Sequence, residues 1–160
     1  MLSRQIPRRW LVADERGGDP VALARRLPRG SGILFLYREL PRAQRAKLLS
    51  RLRRIAKMRS LLIVDEASRG ALRVHSAGEL RRAGTAGIPI LFLSPVNNTR
   101  SHPDWRPLAR MRAAALVRLA KVPVIALGGM DERAFRRVGR LGFSGWAGID
   151  ASGKFRRCSS

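Results

Sequence analysis

Residues 123–142 read PVIALGGMDERAFRRVGRLG. A proline opens a short run of apolar β-formers over 123–127, and Gly128-Gly129 breaks it. Asp131 is placed to cap a helix that runs to about residue 141 and stops at Gly142. This is one strand–turn–helix unit, and the rest of the chain repeats it. Upstream, 10–13 reads as a strand and 19–27 as a helix with Asp19-Pro20 as N-cap and first residue. The continuous apolar run 33–37 suits a strand covered on both faces. A long basic helix follows over 41–58, with Leu48, Leu49, Leu52, Ile55 and Ala56 on one face. Next come a buried strand over 61–65, a helix over 77–86, a strand over 89–93 and a helix over 108–120. The last strand covers 146–149. Such alternation predicts a parallel sheet with right-handed crossovers, either open and doubly wound or closed as a (βα) barrel. In both architectures ligands sit beyond the C-terminal ends of the strands. The residues to inspect are therefore Arg38, Asp65, His75, 94–102, 128–131 and Asp150.

The 160 residues suffice for one domain with a core, expected over 1–151 and followed by a polar, frayed tail over 152–160. The hydrophobic fraction of 45% is ordinary for a globular protein, and no apolar run approaches the ~20 residues that span a bilayer. The first residues, MLSRQIPRRWLVADER, contain no apolar core of a secretory signal. Cys158 stands alone, which excludes an intrachain disulfide. A cytoplasmic location without membrane contact is the expectation. The net charge is +22. It admits nucleic acid or an acidic membrane as a partner, and it also favours small anionic substrates. The basic residues are 29 Arg and 4 Lys, spread along the whole chain, a distribution that GC-rich codon usage produces equally well.

The segment 94–103, SPVNNTRSHP, is polar, follows a buried strand and is longer than a minimal βα connection. Its hydroxyls, guanidinium and imidazole suit phosphate oxygens, while Asn and Ser at a turn also serve purely local hydrogen bonding. Gly128-Gly129 lets backbone N–H groups approach a phosphate at a helix start, or answers a steric need for small residues. Asp65 ends a strongly apolar strand, where a carboxylate holds a hard cation or pairs with an arginine. Arg38 lies at the neighbouring strand end, suited to an anionic leaving group or a carboxylate. His75 and His102 have no cysteine cluster near them to suggest zinc. The common nucleotide, hydrolase and metalloprotease signatures are absent.

Spacing limits the architecture. Only five residues separate Asp65 from Ala71, whereas a parallel crossover takes about ten or more. Segments 61–65 and 72–75 therefore cannot be adjacent parallel strands in the usual way. Either 72–75 is irregular, or its pairing is abnormal, or a βα unit is missing. A complete (βα)₈ barrel typically has about 250 residues. The expected fold is α/β, a TIM-barrel-related array of parallel (βα) units forming an incomplete barrel of about 6–7 strands. Its exposed edges would need covering, for instance by a second subunit in a homo-oligomer.

Several segments together resemble the thiamine phosphate synthase family, including its thiazole tautomerase-like relatives. Segment 94–103 is similar, without gaps, to that family's Gly-Pro-Val-Phe-Pro-Thr-Pro-Thr-Lys-Pro loop, agreeing in kind at Pro95, Val96, Thr99, Ser101 and Pro103. Residues 123–130 resemble its strand and Gly-Gly-Ile turn, 61–65 its strand ending in Asn-Asp, and 33–39 its Gln-Leu-Arg-Glu-Lys strand. The resemblance implies a barrel enzyme that joins a pyrimidine methyl pyrophosphate to a thiazole phosphate and releases pyrophosphate with Mg²⁺. It implies Arg38 at the pyrophosphate, Asp65 on the metal, and Thr99, Ser101 and the Gly129 amide at the thiazole phosphate. Departures are His102 in place of the loop lysine, Val64 for Asn, Leu40 for Lys, and Ile149-Asp150 for a Val-Ser pair. His102 is then the catalytic cation of the loop only when protonated. One carboxylate ligand expected for the metal is missing. Two other functions stay open: a degenerate member that binds a phosphorylated ligand or a protein partner without turnover, and a basic protein associated with nucleic acid.

Overall fold

The computed structural model describes residues 5–98 and 104–148. Among them the chain alternates as the sequence predicts: β1 (Arg9–Ala13), α1 (Pro20–Arg26), β2 (Gly32–Phe35), α2 (Arg42–Arg59) and β3 (Leu62–Asp65). A 3₁₀ turn over Glu66–Ser68 leads to β4 (Leu72–Val74), α3 (Ala77–Thr85), β5 (Leu91–Leu93), α4 (Arg110–Leu119), β6 (Val124–Leu127), α5 (Glu132–Val138) and β7 (Gly145–Gly148). The helices begin where capping chemistry puts them. Asp19, Ser76 and Asp131 each accept a hydrogen bond from a first-turn amide. The last helix is shorter than its apolar pattern suggests, because residues 139–141 tighten into a 3₁₀ turn before Gly142. No described helix is long and apolar enough to cross a membrane.

All seven strands lie in one parallel sheet, ordered β3-β2-β1-β7-β6-β5-β4. The pairing of β1 with β7 is the seam of a barrel. Strands β3 and β4, consecutive in the chain, are the two sheet edges. The segment 72–75 thus resolves as a regular strand at 72–74 that pairs only with β5. The short connection permits no crossover, and the barrel stays open where an eighth strand would pair.

Period-two alternation sorts the core into an inside and an outside. Trp10 and Val12, Leu34 and Leu36, Ile90 and Phe92, and Ile125 and Leu127 form one interior cluster with Val64, Ala71 and Ala147. The alternate residues face the helices: Leu11, Ile33 and Phe35 pack on α1 and α2, and Val74, Leu91, Leu93 and Trp146 on α3 to α5. A single cluster fed by strands from both halves of the sheet means that the sheet curls around a filled interior. It is an incomplete, TIM-barrel-like α/β fold.

Candidate functional site

The interior parity continues past the strand ends. The next inward positions are Asp14 after β1, Arg38 after β2, Glu66 after β3, Arg73 on β4, Ser94 after β5 and Gly129 after β6. These residues rim the C-terminal mouth.

Glu66 organises one side of the rim. Its side chain is 7% exposed, and Arg38 and Arg73 both reach it through Nη2. The Arg73 guanidinium adds an Nε contact at 3.3 Å, and the Arg73 backbone N–H donates to Oε1 at 3.0 Å. That amide points away from β5 toward the open edge, so the Glu66 carboxylate does for β4 what a paired strand would have done. Arg38 is held from behind. Glu15 Oε1 accepts from the Arg38 and Glu39 amides at 2.7 and 2.9 Å. The Arg38 side chain as a whole remains 64% exposed. Asp14, buried, is closed on itself by the Arg16 guanidinium at 2.7 Å and the Arg16 and Gly17 amides.

Burial pushes the Glu66 pKa up, but the Arg73 amide and guanidinium and the Arg38 guanidinium outweigh it, so the carboxyl titrates below its ordinary 4.5. A depressed folded-state pKa contributes stability that is present above the unfolded value and is lost as pH falls through the folded one. Glu66→Gln is therefore expected to flatten the loss of stability below about pH 4.5. Urea unfolding of both proteins at several pH values between about 3 and 6 checks this. Parallel curves would remove Glu66 from the acid response.

Asp65 sits elsewhere. It shares the outward parity of Ile63, donates no group to the mouth, and pairs with Arg45 of α2 at 2.6 Å while capping the 3₁₀ turn through the Ala67 amide at 3.0 Å. The arginine pairing, one of the two readings of this residue, is the one observed. Of the other anticipated residues, Arg38 and Gly129 are at the mouth, whereas Thr99, Ser101 and His102 lie outside the described residues. Glu66 and Arg73 were not singled out from the sequence. Counting by twos from Leu62 and Val64 would have found Glu66.

On the far side of the rim, the Ser94–Pro95 peptide is cis, and the segment after it is laced to the end of β6. The Val96 amide donates to the Leu127 carbonyl at 2.9 Å and the Asn97 amide to the Gly128 carbonyl at 3.2 Å. Gly128 and Gly129 both have positive φ. His75 bridges the two sides: its Nδ1 donates to the Ser94 carbonyl at 2.8 Å, its amide donates to Glu79, and its ring stands edge-on to Trp105. An Nδ1–H tautomer leaves Nε2 as an acceptor.

The donor set among the described residues does not fit the Mg²⁺ that the family resemblance implies. Among the described residues, the four carboxylates nearest the strand ends are engaged: Glu66 by two guanidiniums, Asp14 by Arg16, Glu15 by two amides, and Asp65 by Arg45 on the outer side. Among the described residues no three potential ligands converge on one point. The mouth offers cations and amides instead, a chemistry suited to an anion.

Residues 71–151, just over half of the chain, match the family described as thiamine monophosphate synthase. A comparison with curated proteins gives no match. Among solved structures, thiamine phosphate pyrophosphorylase from Pyrococcus furiosus superposes with a TM-score of 0.77 at 19% identity, over 91% of this chain and 87% of that one. A structure described as "Native KDPGal structure" matches with a TM-score of 0.51 at 11% identity, over 95% and 85%.

Proposed function

As the chain belongs to the thiamine monophosphate synthase family, we propose that its barrel mouth binds a pyrimidine methyl pyrophosphate and a thiazole phosphate and joins them. In this reaction the bond between the pyrimidine methylene carbon and the diphosphate oxygen breaks, and its electron pair leaves with the diphosphate. The thiazole nitrogen donates its pair to the methylene carbon. The observation that supports this reading is the convergence of Arg38, after β2, and Arg73, on the edge strand β4 of the other half of the sheet, on one spot at the mouth. Negative charge grows on the leaving diphosphate, and fixed guanidiniums stabilise that charge more than the ground state. Gly129, with Thr99 and Ser101, is the proposed thiazole-phosphate side, and His102 a second cation for the leaving group.

A second reading, ligand binding without turnover, is favoured by the engaged carboxylates, which among the described residues leave no set to hold Mg²⁺. One experiment separates the two. Purified protein is incubated with both substrates and the product sought by mass spectrometry, while calorimetry follows inorganic pyrophosphate. Turnover is expected, with kcat/KM falling about 100-fold in Arg38→Ala, the scale of losing one charge-stabilising donor. Pyrophosphate affinity is expected to change less than about twofold on adding a chelator, since the guanidiniums carry the binding. Pyrophosphate binding without product would establish the second reading, and loss of affinity with the chelator would return the metal to the site.

A further inference from the structure

The charges of this barrel are sorted. Every described Asp and Glu lies between the C-terminal end of a strand and the first turn of the helix after it: Asp19 ahead of α1, Glu39 ahead of α2, Glu79 in the first turn of α3, Asp131 and Glu132 at the start of α5. Attraction to helix N-termini accounts for acids being there. It does not account for their absence everywhere else, because mid-helix Glu–Lys and Glu–Arg pairs are ordinarily favourable. Biased codon usage multiplies arginine but does not clear carboxylates from one side of a molecule. The result is a mixed-charge mouth and a helical flank with only positive side chains.

That flank is densest along α2. Eight of its 18 residues are Arg or Lys and none is acidic. Arg45 is spent on Asp65 and Arg59 on the Leu27 carbonyl. The other six, including Lys47, Arg51, Arg53 and Arg54, are exposed and form no ion pair among the described residues. Several stand at i, i+3 or i, i+4 spacing, where like charges repel. Between α1 and α2 runs a cavity of about 210 Å³, with Val21 and Ile55 as apolar floor and Arg25, Arg51 and Arg54 at its walls.

We infer that the α1–α2 flank binds the phosphodiester backbone of a nucleic acid. Guanidiniums grip phosphate oxygens through paired N–H donors, and a row of unpaired cations along a helix matches a row of phosphates. A lipid surface fits less well. A helix lying in a bilayer interface inserts its apolar face, but α2 buries Leu49, Leu52, Ile55 and Ala56 in the core, and Met58 is its one exposed large apolar side chain. The flank lies away from the mouth, so a strand bound there leaves the mouth open.

The test uses the full chain and a fluorescein-labelled 20-nucleotide RNA, with DNA of the same sequence beside it, read by anisotropy across a salt series. Two triple variants lose equal charge: R25Q/R51Q/R54Q on the flank, and R112Q/R133Q/R136Q on exposed positions of α4 and α5. Thermal unfolding verifies that both fold. RNA and DNA are expected to bind within a few-fold of each other, as backbone recognition requires. The flank variant should lose tenfold or more in affinity near 0.1 M salt, and its salt slope should shrink by about 2, some 0.7 per lost phosphate contact on a single strand. The α4–α5 variant should change both by much less. Equal losses in the two variants would reduce the binding to overall charge and overturn the proposal. So would capture by phosphatidylserine-containing vesicles that is lost in the flank variant while RNA goes unbound.

Discussion

Replacing Trp10 with alanine is expected to lower the unfolding free energy by about 3–5 kcal/mol, the cost of emptying a large aromatic site in a packed core. Trp10 is fully buried at the base of the barrel interior. Its ring lies so close over β2 that a Cβ on Gly32 would come within 2.1 Å of it. On the other side it meets Phe92 of β5 edge-on, with ring centroids 5.3 Å apart. These contacts join β1 to strands in both halves of the sheet. An open barrel has no closing strand pair between β3 and β4, so the interior side chains carry more of the burden of holding the two halves together. The indole also donates to the Pro7 carbonyl at 2.6 Å, tying the chain before β1 across the bottom of the barrel. Trp10→Phe keeps most of the apolar volume and loses that hydrogen bond, so it should cost far less, about 1–2 kcal/mol. Urea unfolding of the two variants separates filling from tethering. A small loss in Trp10→Ala would mean that the two halves do not depend on their shared interior.

Much of this fold can be read in the chain. Strand and helix announce themselves through apolar runs, proline starts and glycine stops, and the shortfall of residues between Asp65 and Ala71 locates the break in the barrel. Spacing alone could not say what happens at that break. Residues 72–74 form a regular strand because their backbone is satisfied on one side by β5 and on the other, at Arg73, by a side chain from the preceding turn. A carboxylate that substitutes for a strand is invisible to patterns of hydropathy. The site shows a similar limit. Asp65 draws the eye as the charge that ends an apolar strand, yet one residue along a strand is the opposite face. Ile63 and Asp65 turn to the helices, whereas Leu62, Val64 and Glu66 turn inward. The parity was available, but which parity is interior depends on how the sheet curls. Arg38 was legible because it directly follows the apolar run 33–37, at the strand end where ligands are expected, and the inward alternation of Leu34 and Leu36 carries on to it.

The substitution Gly129→Ala should both destabilise the protein and abolish phosphate binding at the thiazole-phosphate side of the mouth. Gly129 has φ +58°, where an L-residue costs about 1–2 kcal/mol. The larger obstacle is space. A Cβ there would stand 1.9 Å from the Asn98 carbonyl oxygen and 2.9 Å from its carbon. Both are backbone atoms, so no rotamer relieves the clash, and the segment after β5 must move. That segment is bound to the same turn by the Val96 and Asn97 amides, so displacing it breaks these hydrogen bonds as well. Adding about 1–3 kcal/mol for overpacking gives an expected loss of roughly 2–5 kcal/mol. Gly84→Ala is the matched control. Gly84 is exposed in α3 with nothing within 4 Å of its added Cβ, and alanine there should stabilise the helix by up to about 1 kcal/mol. Unfolding and inorganic-phosphate calorimetry on both variants separate a general response to added methyls from a specific one at the mouth. If Gly129→Ala unfolds like the wild type and still binds, the turn does not pack against the strand-end segment as described. If it folds with reduced stability but binds normally, the Gly-Gly turn is a packing device and the anion is held by Arg38 and Arg73 alone.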